Sequence, residues 1–526
     1  MAEQQPAAQK SQEEIVQEKG RRVKYALTIG AIVFVIAVLW YRYATTQRLM
    51  GQLDSRSVAA RARAAEKLLT RGVLEDSLPA QPVNRRAKTA AALATVGTKP
   101  ALEQLVVLIK DPEDKPQEAA WRAFGTVPAK KGLGYLLPLF KEGDARAKKA
   151  AVKGAALMGE PAIRGLARTL LGTSQTAKDR REQAANALGQ MRKFALGVDA
   201  RPAGLSEPSG PKAAEEATLP LLKAAQSDDK DLRKIAITVL GDVKEKRGVP
   251  FALKDLSGKG NRRAAIIALG LMRDPRATMA LIPFLKDEVL AIDAVNALGN
   301  IADARAAAAI LERLKDPELQ FRQAGVWALQ RMGKSAVPVL VPGLKSADVN
   351  QRRCAAEGMI GTNDASSIPA LQQALSDPDA RVRMFAATAL GWKGNTAALQ
   401  ALVGALSDRS WQAAEAAGGA LASIGEAALP TLMAQFENPD VNVAYRASLA
   451  IAQMARLGYG SPGEVLKSAL GGADAATRKW SAVTLGNMQD ATAEQPLRDY
   501  WRKAQTPDEK FAAAEALRKL GIVVGG

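Results

Sequence analysis

The chain has 526 residues, 47% of them hydrophobic but only 5% aromatic, and a formal net charge of +19. It contains no histidine and a single cysteine, Cys354, which excludes imidazole-based acid–base or nucleophilic catalysis, His-rich metal sites and an intrachain disulfide framework. The length allows several ordinary domains or one long repeat array, and the basic balance favours anionic lipid, acidic polymer, nucleic acid or acidic protein as partners.

Residues 1–24 are polar and end in a basic knot, Lys19, Arg21, Arg22 and Lys24. The first dozen are expected to be disordered or frayed. YALTIGAIVFVIAVLWY, Tyr25 to Tyr41, is uncharged and makes ~25 Å of helix at ~1.5 Å per residue, enough for a single membrane span. Tyr25, Trp40, Tyr41 and Tyr43 flank it as interfacial aromatics do. The following WYRYATTQ offers no small-x-small cleavage site of a signal peptide, and no other stretch is so rich in Ile, Val and Phe on all faces. The basic knot before the span places the N-terminus in the cytoplasm and the remaining chain outside it. In a bacterium that is a single-pass inner-membrane protein with a periplasmic domain.

Residues 44–80 read as an irregular starting helix and cap. From Asn84 onward a phrase recurs, a helix ending near Leu-Gly and a second helix ending near Leu-x-Asp. Asn84–Lys110, Pro116–Lys141 and Asp144–Leu171 are the first three such units. REQAANALGQM opens another, interrupted at about 193–217 by a stretch with Pro202, Pro208 and Pro211 that reads as an inserted loop between two helices of one unit. From Asp231 the register is clean to the carboxy-terminal helix Asp508–Leu520. The period is near 30 residues, and about 14 units fit when the imperfect ends are counted.

Asp379 to Asp408, DARVRMFAATALGWKGNTAALQALVGALSD, shows the plan. Val382, Phe385, Ala386 and Leu390 fall at helical spacing in a helix over about 379–390, and Leu399, Leu402, Val403 and Leu406 in one over about 397–406. Gly391 and Gly394 are expected to end the first helix. Such a hairpin cannot bury both apolar stripes alone, but a stack of them can. Asp316, Asp377 and Asp408 are expected to cap first helices. Pro317, Pro378 and Pro439 are expected at early helical positions, as are Pro338, Pro369 and Pro430 in second helices.

DPDARVRMFAATALG, DPELQFRQAGVWALQRMGKSAVPVLVPGL and SIGEAALPTLMAQFENPDVNVAYRASLA resemble HEAT repeats of the short bacterial, PBS-lyase-like (HEAT_2) type. The resemblance implies an all-α fold, a right-handed α-solenoid of about 14 helical hairpins over residues 44–526, here preceded by one transmembrane helix. It also implies that the arginine of the family pattern, which lands on Arg233, Arg263, Arg322, Arg353, Arg383, Arg446 and Arg478, ties adjacent repeats by bonding to a neighbour's carboxylate or carbonyl. It is nearly silent on function, since such repeats serve scaffolds, adaptors, lyases and nucleic-acid enzymes.

The sequence carries no phosphate-binding Gly-x-x-x-x-Gly-Lys motif, no C-x-x-C and no H-E-x-x-H. No catalytic residue, cofactor or metal is therefore expected. Cys354, mid-helix, reads as a buried filler. Arg262, Arg352, Trp392 and Lys479 are the candidate partner-binding residues, drawn from the basic pairs that recur on first helices and from the tryptophan after a helix-ending glycine. The resulting expectation is a membrane-anchored scaffold or adaptor that binds protein partners through an extended surface. A basic face that binds nucleic acid or an anionic lipid or polymer is one rival, with nucleic acid disfavoured by the outward orientation. A bilin-lyase-like enzyme is the other, disfavoured by the anchor and the length.

Overall fold

The computed structural model describes residues 12–172, 178–200, 210–258, 261–394 and 396–523. Among these every regular element is an α-helix or a short 3-10 turn, and none is a strand. The chain forms two compact units, the first ending at Val239 and the second beginning at Leu240.

The first unit opens with α1 (Gln12–Gln52) and continues as hairpins: α2 and α3 (Val58–Thr70, Val73–Ser77), α4 and α5 (Val83–Val96, Lys99–Ile109), α6 and α7 (Asp114–Phe124, Ala129–Glu142), α8 and α9 (Ala145–Leu157, Glu160–Leu170), α10 and α11 (Lys178–Ala195, Pro211–Ala225). Helix α12 (Lys230–Asp242) carries the unit boundary. The second unit adds α13 (Val249–Ser257), then α14 and α15 (Arg262–Met272, Thr278–Leu281), α16 and α17 (Ala291–Ile301, Ala307–Arg313), α18 and α19 (Leu319–Met332, Val337–Gly343), α20 and α21 (Val349–Gly358, Ile368–Ala374). It ends with α22 and α23 (Ala380–Trp392, Leu399–Ala405), α24 and α25 (Trp411–Ile424, Leu429–Met433), α26 and α27 (Val441–Leu457, Pro462–Ala469), α28 and α29 (Ala475–Met488, Glu494–Lys503) and the closing helix α30 (Pro507–Lys519).

Helix α1 shows what the rest of the molecule leaves uncovered. Leu27 to Tyr43 is exposed along its length, including Phe34 at 69% and Trp40 at 71%. The helix continues unbroken past the expected end at Tyr41 to Gln52, because nothing after Tyr41 breaks a helix. Among its described side chains only the root is buried, with Met50 and the following Leu53 in the first unit's core. The segment Leu27–Gln52 is long and apolar enough to cross a membrane. The expected disorder of the first dozen residues falls on positions 1–11, outside the described residues, and on Gln12, which is helical.

Elsewhere first helices stack on first helices through alanine. Ala386, Ala389 and Leu390 of α22 and Ala413, Ala414 and Ala417 of α24 are buried. The Leu-Gly glycine lies inside this contact, which corrects the reading of Gly391 as a helix stop. Helix α22 runs through Gly391 to Trp392, and a Cβ on Gly391 would lie 2.6 Å from Ala420 Cα in α24. The same approach recurs at Gly270 against Ala297, Gly299 against Ala328 and Gly486 against Ala516, at 2.6, 2.8 and 2.7 Å. Glycine there lets two helix backbones meet more closely than a methyl group allows. The turn falls to Gly394 instead, at φ +58°.

The capping assignments also move. Asp379 caps α22, accepting from Arg381 and Val382 N–H, whereas Asp377 and Asp408 lie two residues before their caps and accept from Asp379 and Ser410 N–H at 2.9 and 2.8 Å. Asp316 does the same with Glu318 N–H. Their aspartates close Asx turns ahead of the helix, and Pro317, Pro378 and Pro439 precede the caps rather than opening the helices. Pro338, Pro369 and Pro430 do occupy the first turn of α19, α21 and α25. The inserted connection is shorter than 193–217, because α10 continues to Ala195 and Pro211 opens α11. Proline costs nothing at a helix start, so a proline-rich run hid a helix end. Residues 201–209 of that connection lie outside the described residues.

At some first-helix ends a residue other than glycine takes the left-handed conformation, as Arg273, Ala302 and Gln489 do. Ala302 stands at φ +58° with its N–H bonded to Leu298 O. We expect Ala302→Gly to raise stability by about 1 kcal/mol, read as a higher denaturant midpoint, since a β-carbon in this region costs roughly that much.

Candidate functional site

An array of this kind acts through its surface, and the charges on that surface are first committed to holding it together. Among the described residues, seven arginines near the starts of first helices donate to a carbonyl six residues earlier. They are Arg61 to Ser55, Arg233 to Ser227, Arg262 to Leu256, Arg322 to Asp316, Arg352 to Ser346, Arg383 to Asp377 and Arg478 to Gly472, at 2.6 to 3.1 Å. The guanidinium satisfies carbonyls in the turn that enters its own helix.

Several of these side chains then reach forward to a carboxylate of the next repeat. Arg352 clamps Asp377, Arg383 clamps Asp408 and Arg478 meets Glu509, each with a closest contact of 2.6 to 2.8 Å. In the first unit Arg86 clamps Asp111 in the same way and Arg181 bonds Asp229. The Arg383 and Asp408 side chains are 8% and 7% exposed, so the pair is desolvated as well as bidentate.

The candidate residues sort themselves against this ladder. Arg262 and Arg352, read as partner-binding, sit in the ladder; Arg262 also lies over the Phe284 ring at 6.0 Å. Their neighbours Arg263 and Arg353, read as ladder residues, also bond carboxylates of the next repeat, as an outer row of the ladder, with Asp293 at 2.9 Å and Asp379 at 2.5 Å. Arg233, Arg322, Arg383 and Arg478 hold ladder positions. Arg446 instead reaches back to the carbonyls of Leu406 and Asp408. Lys479 pairs with Asp508 at 3.0 Å and lies 5.9 Å from the Trp480 ring, so it too is engaged within the chain. Trp392 projects into solvent at 71% exposure.

Counting four residues on from the Asp348 cap would have added Arg352 to Arg353, and the same count from Asp379 reaches Arg383. The sequence did not mark Arg61, Arg86 or Arg181 as ladder residues, because the repeats around them depart from the family phrase; Arg181 stood out only as half of a basic pair. Sequence reading also passed over a second set at second-helix starts, where Arg276 and Arg305 hold Asp274 and Asp303 and donate to Lys246 O and Pro275 O of the preceding repeat. Exposed aromatics of the second unit extend beyond Trp392 to Trp411, Tyr445 and Phe511 on α24, α26 and α30.

The ladder has an electrostatic signature. The Arg353 hydrogen bond, opposed by burial, holds the Asp379 carboxyl down to about 2, and Arg305 does the same for Asp303, also to about 2. Asp408 is lowered first by Arg383. A carboxyl whose folded value lies below its unfolded value of ~3.9 stabilises the fold above that pH, and the contribution fades as pH falls toward the folded value. Thermal stability is therefore expected to hold from neutral pH to about 5 and to drop between about pH 4 and 2. Arg353→Gln should flatten that drop in circular-dichroism melts; an unchanged acid profile would contradict the assignment. Cys354 in α20 is 4% exposed, and burial, with Glu357 nearby, pushes its thiol up to about 12, which leaves it an inert core residue.

No group of His, Cys, Asp or Glu suited to a metal ion occurs among the described residues. Many carboxylates at helix starts, Asp379 and Asp408 among them, are engaged in caps, turns and arginine pairs that stack the repeats.

The model of the family described as HEAT repeats matches residues 218–293, 281–361, 337–422 and 429–518, together more than half of the chain. No curated protein matches it. Similar solved structures include a mutant of Kap121p, at 13% identity over 91% of this chain and 56% of that one with a TM-score of 0.45. Importin beta in an ammonium sulfate condition follows, at 15% identity over 90% and 67% with a TM-score of 0.41. Human deoxyhypusine hydroxylase in complex with glycerol is 18% identical over 56% and 96% with a TM-score of 0.21. The chain thus spans little more than half the length of the Kap121p chain it resembles.

Proposed function

The chain belongs to the HEAT-repeat family, and from that premise we propose that it is a membrane-anchored scaffold or adaptor that binds protein partners through its repeat surface. Residues 1–24 form the cytoplasmic tail, 25–41 the anchor and 44–526 the array on the far, periplasmic side of an inner membrane. The observation that carries this reading is α1, an apolar helix whose root is built into the first repeat while none of its membrane-length window is buried by protein. Water is a poor solvent for such a helix, and a bilayer is the environment that matches it. The basic knot ending at Lys24 supports the orientation.

Partner contact is assigned to the exposed aromatics of the second unit, Trp392 and Trp411 foremost, at 71% and 62% exposure. Large amphipathic rings supply most of the binding energy in protein interfaces. Crosslinking on intact membranes followed by purification should recover a defined protein partner. Trp392→Ala with Trp411→Ala should cut that recovery at least about tenfold while membrane association stays the same. Recovery unaffected by the two substitutions would reject this surface, and failure to capture any protein would reject the scaffold reading.

A further inference from the structure

The root of α1 fixes which edge of the first unit looks toward the apolar segment. After Gln52 the chain reverses through Leu53–Ser57, and α2 runs back alongside the last turns of α1, so that Arg71 at the end of α2 donates to Thr45 Oγ1 at 3.1 Å. Thr45 lies only four residues, ~6 Å along the helix, beyond Tyr41. The carboxy-terminal end of α2 therefore points the same way as the apolar segment.

The later first helices share that direction. Their amino-terminal turns are bonded to one another, Asn84 to Lys115, Asp114 to Arg146 and Lys148 to Asp179. Helices α4, α6, α8 and α10 thus lie parallel, with their starts along one edge of the unit. The turns joining first to second helices line the opposite edge, on the side of the apolar segment.

That turn edge has the composition of a lipid-facing surface. Lys99, Lys130, Lys131 and Lys212 are exposed at the starts of second helices, next to Arg71. Leu196 and Val198, in the turn after α10, are exposed at 42% and 66%. Exposed Glu75, Asp76 and Glu160 and half-buried Asp199 are carboxylates of the same turns, and Glu103, one turn into α5, pairs with Lys99 at 3.9 Å; Arg42 and Arg48 of α1 add to the cations. The wider unit is lopsided in charge, with 39 Lys/Arg against 25 Asp/Glu through Val239, which is +14 of the total +19. Cations within a Debye length of an anionic bilayer are each attracted to it, and apolar side chains among them insert at the headgroup boundary.

We propose that the turn edge of the first unit is a peripheral docking surface for anionic lipid headgroups, lying against the bilayer that α1 enters. The inference rests on the reading of α1 as a membrane span. It turns the anchor from a tether into a fixed mount: one edge of the first unit rests on the lipid while the opposite edge faces away from it.

The test uses the full chain in lipid nanodiscs with single labelled cysteines, buried Cys354 staying unlabelled. A fluorophore on Val198→Cys is expected to be quenched by headgroup-spin-labelled lipid at least about fivefold more than one on Glu113→Cys at the opposite edge, in discs of phosphatidylcholine with phosphatidylglycerol. Equal quenching at the two positions would overturn the proposal. In phosphatidylcholine alone, or with Lys130→Glu and Lys131→Glu together, quenching at Val198→Cys should fall toward the Glu113→Cys level; unchanged quenching in both would overturn the role of charge. A label on Ile32→Cys, quenched by acyl-chain spin labels, reports the anchor separately. Its failure to quench removes the membrane reading itself, whereas an Ile32→Cys label that quenches beside an unquenched Val198→Cys label removes only the docking surface.

Discussion

Arg383→Ala is expected to destabilise the second unit by about 4 kcal/mol, because it leaves a buried carboxylate without its cation. The Asp408 side chain is 7% exposed and takes both its strong bonds from Arg383, at 2.6 and 2.7 Å, keeping only the Ser410 N–H. The same substitution strips the Asp377 carbonyl of a donor at 2.8 Å. Arg383→Met with Asp408→Leu should recover most of the loss, since a well-packed apolar pair often matches a buried ion pair in stability. Long arrays depart from two-state unfolding, so the readout is hydrogen exchange resolved to α22 and α24. A single-variant loss under about 1 kcal/mol would mean that water reaches Asp408 and that the pair is an ordinary surface bridge.

Gly391→Ala is the second large effect, and its sign runs against helix propensity. Alanine in place of glycine mid-helix ordinarily gains up to ~1 kcal/mol. At Gly391 the new methyl would meet Ala420 Cα at 2.6 Å and Cβ at 2.8 Å, atoms of a neighbouring helix with no rotamer to yield. Overpacking against backbone costs about 3 kcal/mol, so the net expectation is a loss of about 2. Gly404→Ala in α23 is the control, because nothing lies within 4 Å of the added carbon; it should gain ~0.5 kcal/mol. If both variants were stabilised, the close approach of α22 to α24 would be wrong.

These two sites also mark how far the sequence could be read. Helical periodicity and recurrence announced the all-α hairpin array, because an amphipathic stripe repeated at a fixed interval has few other ways to be buried. The apolar helix was legible because 17 uncharged residues in a row are long and apolar enough to cross a membrane. Gly391 was misread because a glycine after leucine at the end of a periodic run looks the same whether it turns the chain or admits a neighbouring helix. Only the position of Ala420, a repeat away, distinguishes the two. Arg352 was given to partners for a similar reason: adjacent arginines on one helix point about 100° apart, and the sequence does not show that Arg352 as well as Arg353 reaches a carboxylate of the next repeat. The exposed aromatics Tyr445 and Phe511 were passed over since exposure is a property of the stack, not of the residue.

The central claim is that α1 mounts the array on a membrane with the array outside the cytoplasm. Protease added to cells with a permeabilised outer envelope tests it most directly, with an intact cytoplasmic protein as the control. The account predicts that the array is digested down to a membrane-embedded fragment containing Leu27–Tyr43 while the control survives. An array that stays protected alongside the control, or one released by washing without detergent, would contradict it.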